Sequence, residues 1–152
     1  MLVSILQNSE DSTVDFLVWR PEFDLGVPEL DQQHRGLHGL VNAVGRAIQR
    51  DETALAEATI GQLLTQSQAH FDFEESLMQR VGYAANALHH EQHSELLASM
   101  ARLRDDVASH RFSYNRPQTL RFLRDWFSIH IIRSDGDFVR FLKTLTSPGA
   151  AG

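Results

Sequence analysis

Apolar residues recur at steps of three and four along most of this chain, and no sustained apolar–polar alternation interrupts them. That is the helical period, so the pattern predicts an all-α protein. A first helix starts near Glu29 or Asp31 and runs to about Arg50, with Leu30, Leu37, Val41, Val44 and Ile48 as its apolar stripe. A second runs from about Thr53 to Arg80, with Asp51 as its cap and Gly82 as its stop. Leu55, Ile60, Leu63, Leu64, Phe71 and Met78 serve its core side. A third covers about Ala85 to Ser109 and uses Leu88, Leu96, Leu97, Met100, Leu103 and Val107. A fourth, capped by Asn115 or Arg116 with Pro117 in its first turn, continues to about Leu145. Four long helices with short connections imply an up-down-up-down four-helix bundle. Residues 1–18 form an irregular lead-in, and Trp19 to Pro28 form a non-helical arm with Trp19, Phe23, Leu25 and Val27 available to pack. The domain then spans residues 19–146, followed by a flexible tail at 147–152. Phe71, Phe73, Phe122, Phe127, Phe138 and Phe141 are expected in the core.

Composition narrows the function more than the fold. A chain of 152 residues is long enough for one domain with a real core. The net charge of −6 offers no basic patch to neutralise phosphates, so nucleic acid is not expected as a partner. With no cysteine there is no disulfide, thiolate nucleophile or iron–sulfur ligand. The apolar run Leu2 to Leu6 is too short to span a bilayer and lacks a basic flank, so no membrane association is expected. The expectation is a cytoplasmic protein, or a cytoplasmic domain of a longer one.

The chemistry lies in patterned histidines and carboxylates. His70 and Glu74 are four apart, as are His89 and His93, so each pair shares a helix face about 40° wide. With His34, His130 and Asp135 they make seven candidate ligands: one on the first helix and two on each of the others. Imidazole suits iron, zinc, copper and nickel, and a carboxylate can bridge two ions. Facing helices of a bundle build dinuclear sites in this way. One spacing is awkward. His130 and Asp135 are five apart, about 140° on a regular helix. A π-type bulge in the fourth helix would turn both to one face, and such bulges occur often at functional sites.

If the metals are iron, charge favours dioxygen binding. Two ferrous ions, two carboxylates and one hydroxide sum to a single positive charge. The sum is unchanged when two electrons pass to dioxygen and the hydroxide proton moves with them, so no net charge enters a buried site. Five neutral imidazoles favour reversible binding, whereas carboxylate-rich di-iron sites supply more negative charge.

The run Trp19-x-x-x-Phe23-x-x-Gly26-Val27-x-x-Leu30-Asp31-x-Gln33-His34 resembles the start of the hemerythrin family. So do His70-Phe71-x-x-Glu74-Glu75-x-x-Met78, Gly82-Tyr83 followed by His89-x-x-x-His93, and His130-Ile131-x-x-x-Asp135. The match covers about Trp19 to Leu145. The resemblance implies a cofactor of two iron ions bridged by an oxo or hydroxo group and by Glu74 and Asp135. His89, His93 and His130 would hold one iron. His34 and His70 would hold the other and leave a place for dioxygen, in a dry pocket lined by Leu37, Trp126 and Ile131. The chain departs from the family in its long lead-in, in Ala84 where a proline often follows the tyrosine, and in His38 at a position usually apolar or aromatic. His38 lies one turn after His34, where it could tune the site, hydrogen-bond within it or pack nearby. His90 and His110 are expected at the surface, and Glu75 is expected to be solvated or to lie just behind the ligands.

The implied function is reversible dioxygen binding without catalysis, for storage, delivery or buffering. One alternative is a sensor of oxygen, nitric oxide or redox state that signals to a partner protein or an attached signalling domain. Another is an enzyme scavenging peroxide or nitric oxide.

Overall fold

The helical period is realised as four rods running up and down. The computed structural model describes residues 16–111 and 115–146. After a 3₁₀ turn at Pro21–Phe23, α1 covers Pro28–Gln49, α2 covers Thr53–Val81 and α3 covers Asn86–Ala108. The fourth rod is composite, with α4 at Arg116–Ile129, a π-helical turn at His130–Asp135 and α5 at Gly136–Thr146. The bend inferred from the five-residue step between His130 and Asp135 is therefore present. No helix among the described residues is long and apolar enough to cross a membrane. Most of the lead-in and the tail at 147–152 lie outside the described residues.

Local chemistry explains most helix ends. Pro28 opens α1 with its fixed φ, and Asp31 in the first turn accepts hydrogen bonds from the amides of Leu25 (2.8 Å) and Gly26 (3.0 Å), tying the arm to the helix start. Gly82 ends α2 in the left-handed conformation at φ 68°, and the Tyr83 amide donates back to the Met78 carbonyl at 3.0 Å. The caps expected at Asp51 and at Asn115 or Arg116 are not made. Asp51 itself takes a φ of 55° because three residues must reverse the chain, and its carboxylate pairs with Arg116 at the start of α4. Asn115 does precede α4, but its side chain turns to Gln118. The arm expected to be non-helical carries one short 3₁₀ turn, started by Pro21, which drives Phe23 fully into the core.

Each rod is apolar at one end and polar near its middle. Val41, Val44 and Ile48 of α1 share a core with Ile60 and Leu63 of α2, Met100 and Val107 of α3, and Leu123 and Phe127 of α4. Burying each of these contributes about 1.5–3 kcal/mol. Leu30, Met78, Phe138 and Val139 are also buried, and by register they lie beyond the polar band toward the other end. The polar residues are thus held between two apolar layers. Leu55 and Leu88 do not join the core as their spacing predicts, being 52% and 57% exposed. At the start of α3 the inward face belongs to His89 and His93, and Leu88 is rotated about 100° away from His89. Ala56, Thr59 and Ile60 hold the corresponding inward face of α2. Phe16 and Leu17 are buried as well, although the sequence pattern leaves them in the lead-in.

α1 packs on α2 and α4, and α2 packs on α3. The seam between α3 and the fourth rod is looser and carries a groove of about 440 Å³ lined by Gln92, Leu96, Phe122, Trp126 and Ile129.

Candidate metal centre

All seven predicted ligands converge in the polar band, and none is more than 9% exposed. They form two groups of donor atoms, each lying within 4.8 Å of one another. One group is Glu74, His89, His93, His130 and Asp135; the other is His34, His70, Glu74 and Asp135. Both carboxylates belong to both groups, one oxygen to each side. Glu74 presents Oε2 to His70 Nε2 at 3.0 Å and Oε1 to His89 Nε2 at 2.9 Å. Asp135 presents Oδ2 to His34 Nε2 at 3.0 Å, and Oδ1 to His89 and His130, each at 3.0 Å. The π turn makes this possible, because it aims His130 and Asp135 into the same space.

The outer hydrogen bonds set which ring nitrogen faces inward. His70 Nδ1 donates to the Gln33 Oε1 acceptor at 2.6 Å, and His93 Nδ1 donates to Glu75 at 2.8 Å. Each Nε2 therefore turns a lone pair inward, as a metal ligand requires. His34 and His70 bring their Nε2 atoms to 3.2 Å, and so do His93 and His130. Both Glu74 oxygens and Asp135 Oδ2 are buried without a hydrogen-bond partner among the described residues. Unpaired buried carboxylate oxygens are costly, and lone pairs facing each other repel. Cations at the two foci would relieve both, so the donor set fits a pair of metal ions.

Protonation follows the same field. Burial pulls His89 down, but the carboxylates of Asp135 and Glu74 beside its Nε2 outweigh it and push His89 up to about 9. Burial, reinforced by the charges of His130 and His89, pushes His93 down to about 2. Burial raises Asp135, yet the charge of His130 and the close ring nitrogens of His130, His34 and His89 hold it well below the usual carboxylate range.

A cavity of about 20 Å³ opens beside His34 and His70. Leu37, Trp126 and Ile131 line it as expected, together with Phe71, Leu96 and Phe127. That is room for about one small molecule, since one water needs about 10–15 Å³ by this measure.

Residues 25–142 match the family profile of the hemerythrin HHE cation binding domain. The chain belongs to the hemerythrin family. Among similar hemerythrins, the bacteriohemerythrin of Methylococcus capsulatus is 30% identical over 114 residues, which cover 75% of this chain and 86% of that one. That of Pseudomonas paraeruginosa is 26% identical over 129 residues, covering 81% and 79%. That of Stenotrophomonas maltophilia is 30% identical over 92 residues, covering 58% of each chain. The crystal structure of a hemerythrin mutant superimposes with a TM-score of 0.73 at 27% identity, covering 84% of this chain and 97% of that one.

Some contributors to this hemerythrin site escape the sequence pattern. Gln33 is a neutral polar residue beside His34, and only its neighbour marks it. Glu75 takes the second of its two expected places, just behind the ligands, where its carboxylate is shared between buried His93 and exposed His90, the latter at 2.9 Å. Phe71 stacks on the His93 ring at 3.9 Å between centroids, a role its place in the core stripe does not reveal. His110 is exposed, as expected. His38 faces away from the donor groups toward the arm, where its Nε2 donates to the Leu17 carbonyl at 2.6 Å.

Proposed function

We propose that His89, His93 and His130 hold one iron ion, that His34 and His70 hold the other, and that Glu74 and Asp135 bridge them. On this reading the domain binds dioxygen reversibly in the Leu37–Trp126–Ile131 cavity and serves storage, delivery or buffering. The observation that carries the proposal is the asymmetry of the pocket. The two donor groups share both carboxylates, yet the apolar cavity is lined by both histidines of one group, His34 and His70, and by only His130 of the other, with His89 and His93 outside it.

The iron pair, when bound, supplies the electrons that make dioxygen binding possible. The protein supplies orientation and dryness. Gln33 and Glu75 fix the tautomers of His70 and His93. Leu37, Phe71, Phe127 and Ile131 keep water from the small cavity. Trp126 adds bulk without adding a donor to it, because its one N–H is spent on the Leu96 carbonyl at 3.0 Å. Apart from the seven donors, no acid or base lines the cavity, which supports binding over turnover.

Metal analysis of anaerobically purified protein, followed by an oxygen-titrated absorption spectrum, tests this. The expected result is two irons per chain and a charge-transfer band that appears with oxygen and disappears under vacuum. Steady consumption of peroxide or nitric oxide would favour the enzyme instead. The sensor reading draws support from the arm, which packs against the cavity wall through Trp19 and Phe127.

A further inference from the structure

His38, Asn42 and Gly45 form one row along α1, at steps of four and three, and Phe16 and Leu17 lie across it. The Leu17 backbone is bound as a strand would bind it. Its amide donates to Asn42 Oδ1 at 2.6 Å, and its carbonyl accepts from Asn42 Nδ2 at 2.9 Å and from His38 Nε2. A carbonyl can only accept, so His38 carries its proton on Nε2, and the two side chains clamp the peptide groups on either side of Leu17. Asn42 is 3% exposed, and such a buried carboxamide is stable only while its partner stays in place. Phe16 fits where α1 lacks a side chain, since a Cβ on Gly45 would overlap its ring. Arg124 of α4 covers the other face of that ring at 4.4 Å and donates to the Phe16 carbonyl.

Two residues further on, Trp19 packs edge-on against His38 at 5.2 Å and leans on Phe127 at 6.4 Å. Phe23 meets the same Phe127 ring at 5.1 Å. Phe127 is part of the cavity wall beside His34 and His70. The arm therefore seats one wall of the cavity, and the clamp on Leu17 seats the arm.

The geometry points to the His38–Asn42–Gly45 row as a dock for the N-terminal segment, through which its attachment regulates access to the cavity. Docking of the segment stands on the contacts alone; regulation of ligand access rests on the function proposed above. His38 is thus a positioning residue for the arm.

Gly45→Ala tests the dock, with Gly39→Ala as its control. Both changes favour helix equally, but a Cβ at Gly39 meets nothing within 4 Å. Amide exchange at Leu17 reports docking. Xenon-induced shifts of the Leu37 and Ile131 methyls, in zinc-loaded full-length protein, report the cavity without iron or oxygen. Gly45→Ala is expected to speed Leu17 exchange about tenfold, the worth of one lost hydrogen bond of this kind. It is also expected to enlarge the xenon shifts, and in the iron-loaded protein to hasten autoxidation. Gly39→Ala should change none of these. Asn42→Ala and His38→Phe provide independent routes to the same release. Unchanged Leu17 exchange in Gly45→Ala and Asn42→Ala would overturn the dock. Faster exchange with unchanged xenon shifts would overturn the coupling, as would an equal response in Gly39→Ala. A xenon response in a protein that takes up no iron would leave the dock and its coupling standing and defeat only the di-iron reading.

Discussion

The two halves of the donor cluster use the same side chains and end in different surroundings. Around His93 the space is filled: Phe71 lies flat on its ring, and a carboxylate, Glu75, braces its outer nitrogen, while His130 of the same half reaches the edge of the cavity. Around His34 and His70 there are only two imidazoles, the brace on His70 is the neutral amide of Gln33, and a cavity takes the remaining space. The lesson is that ligand identity does not decide which half can accept a guest; packing beyond the ligands does. The charged brace also makes His93 the more strongly donating ring, so the filled half should hold its metal more tightly.

The contrast can be broken most severely at its centre. His93→Ala removes a donor from the filled half, and metal content should fall from two ions per chain toward one, measured by metal analysis after dialysis. The loss should exceed the effect of a brace. Glu75→Gln keeps a hydrogen-bonding partner but removes its charge, and should weaken metal retention by about 10-fold, at the low end of the 10–100-fold typical of such partners. Competition with a chelator would measure it, and Gln33→Ala should act on the other half instead. Leu37→Ala opens the dry side. It should leave both metals bound, speed autoxidation as water enters, and cost about 2–4 kcal/mol in denaturant unfolding. Unchanged autoxidation in that variant would remove the case for a dry pocket. The smallest effect belongs to Leu55→Ser and Leu88→Ser, which should each change stability by no more than about 0.5 kcal/mol because neither reaches the core.

Much of this was legible before any coordinates. The three-and-four spacing located four helices, Gly82 marked the end of α2, and the seven donors came together as their spacing required. Even the π turn could be inferred, because two residues five apart cannot meet one target from a regular helix. The failures have a common cause. Where a polar residue takes the inward face, as His89 does, a pattern built on apolar residues rotates the helix wrongly and buries Leu88 on paper. Asp51 satisfies the rule for a cap, but the tight reversal gives it another partner. The Gln33 brace and the Leu17 clamp depend on contacts between distant segments, or on backbone atoms that carry no sequence signal.

The π turn has a consequence for anyone rebuilding this centre. It works as a phase shifter: by accommodating one extra residue it sets every later side chain of the fourth rod back by about 100° relative to an uninterrupted helix. Removing one residue between His130 and Asp135 and letting the turn revert to a regular helix would leave Phe138 and Val139 in phase, so the extra residue serves the spacing of the two donors and not the layer beyond them. A scaffold of four uniform helices therefore cannot carry these seven donors at this spacing. The fourth must be written one residue out of step with the rest.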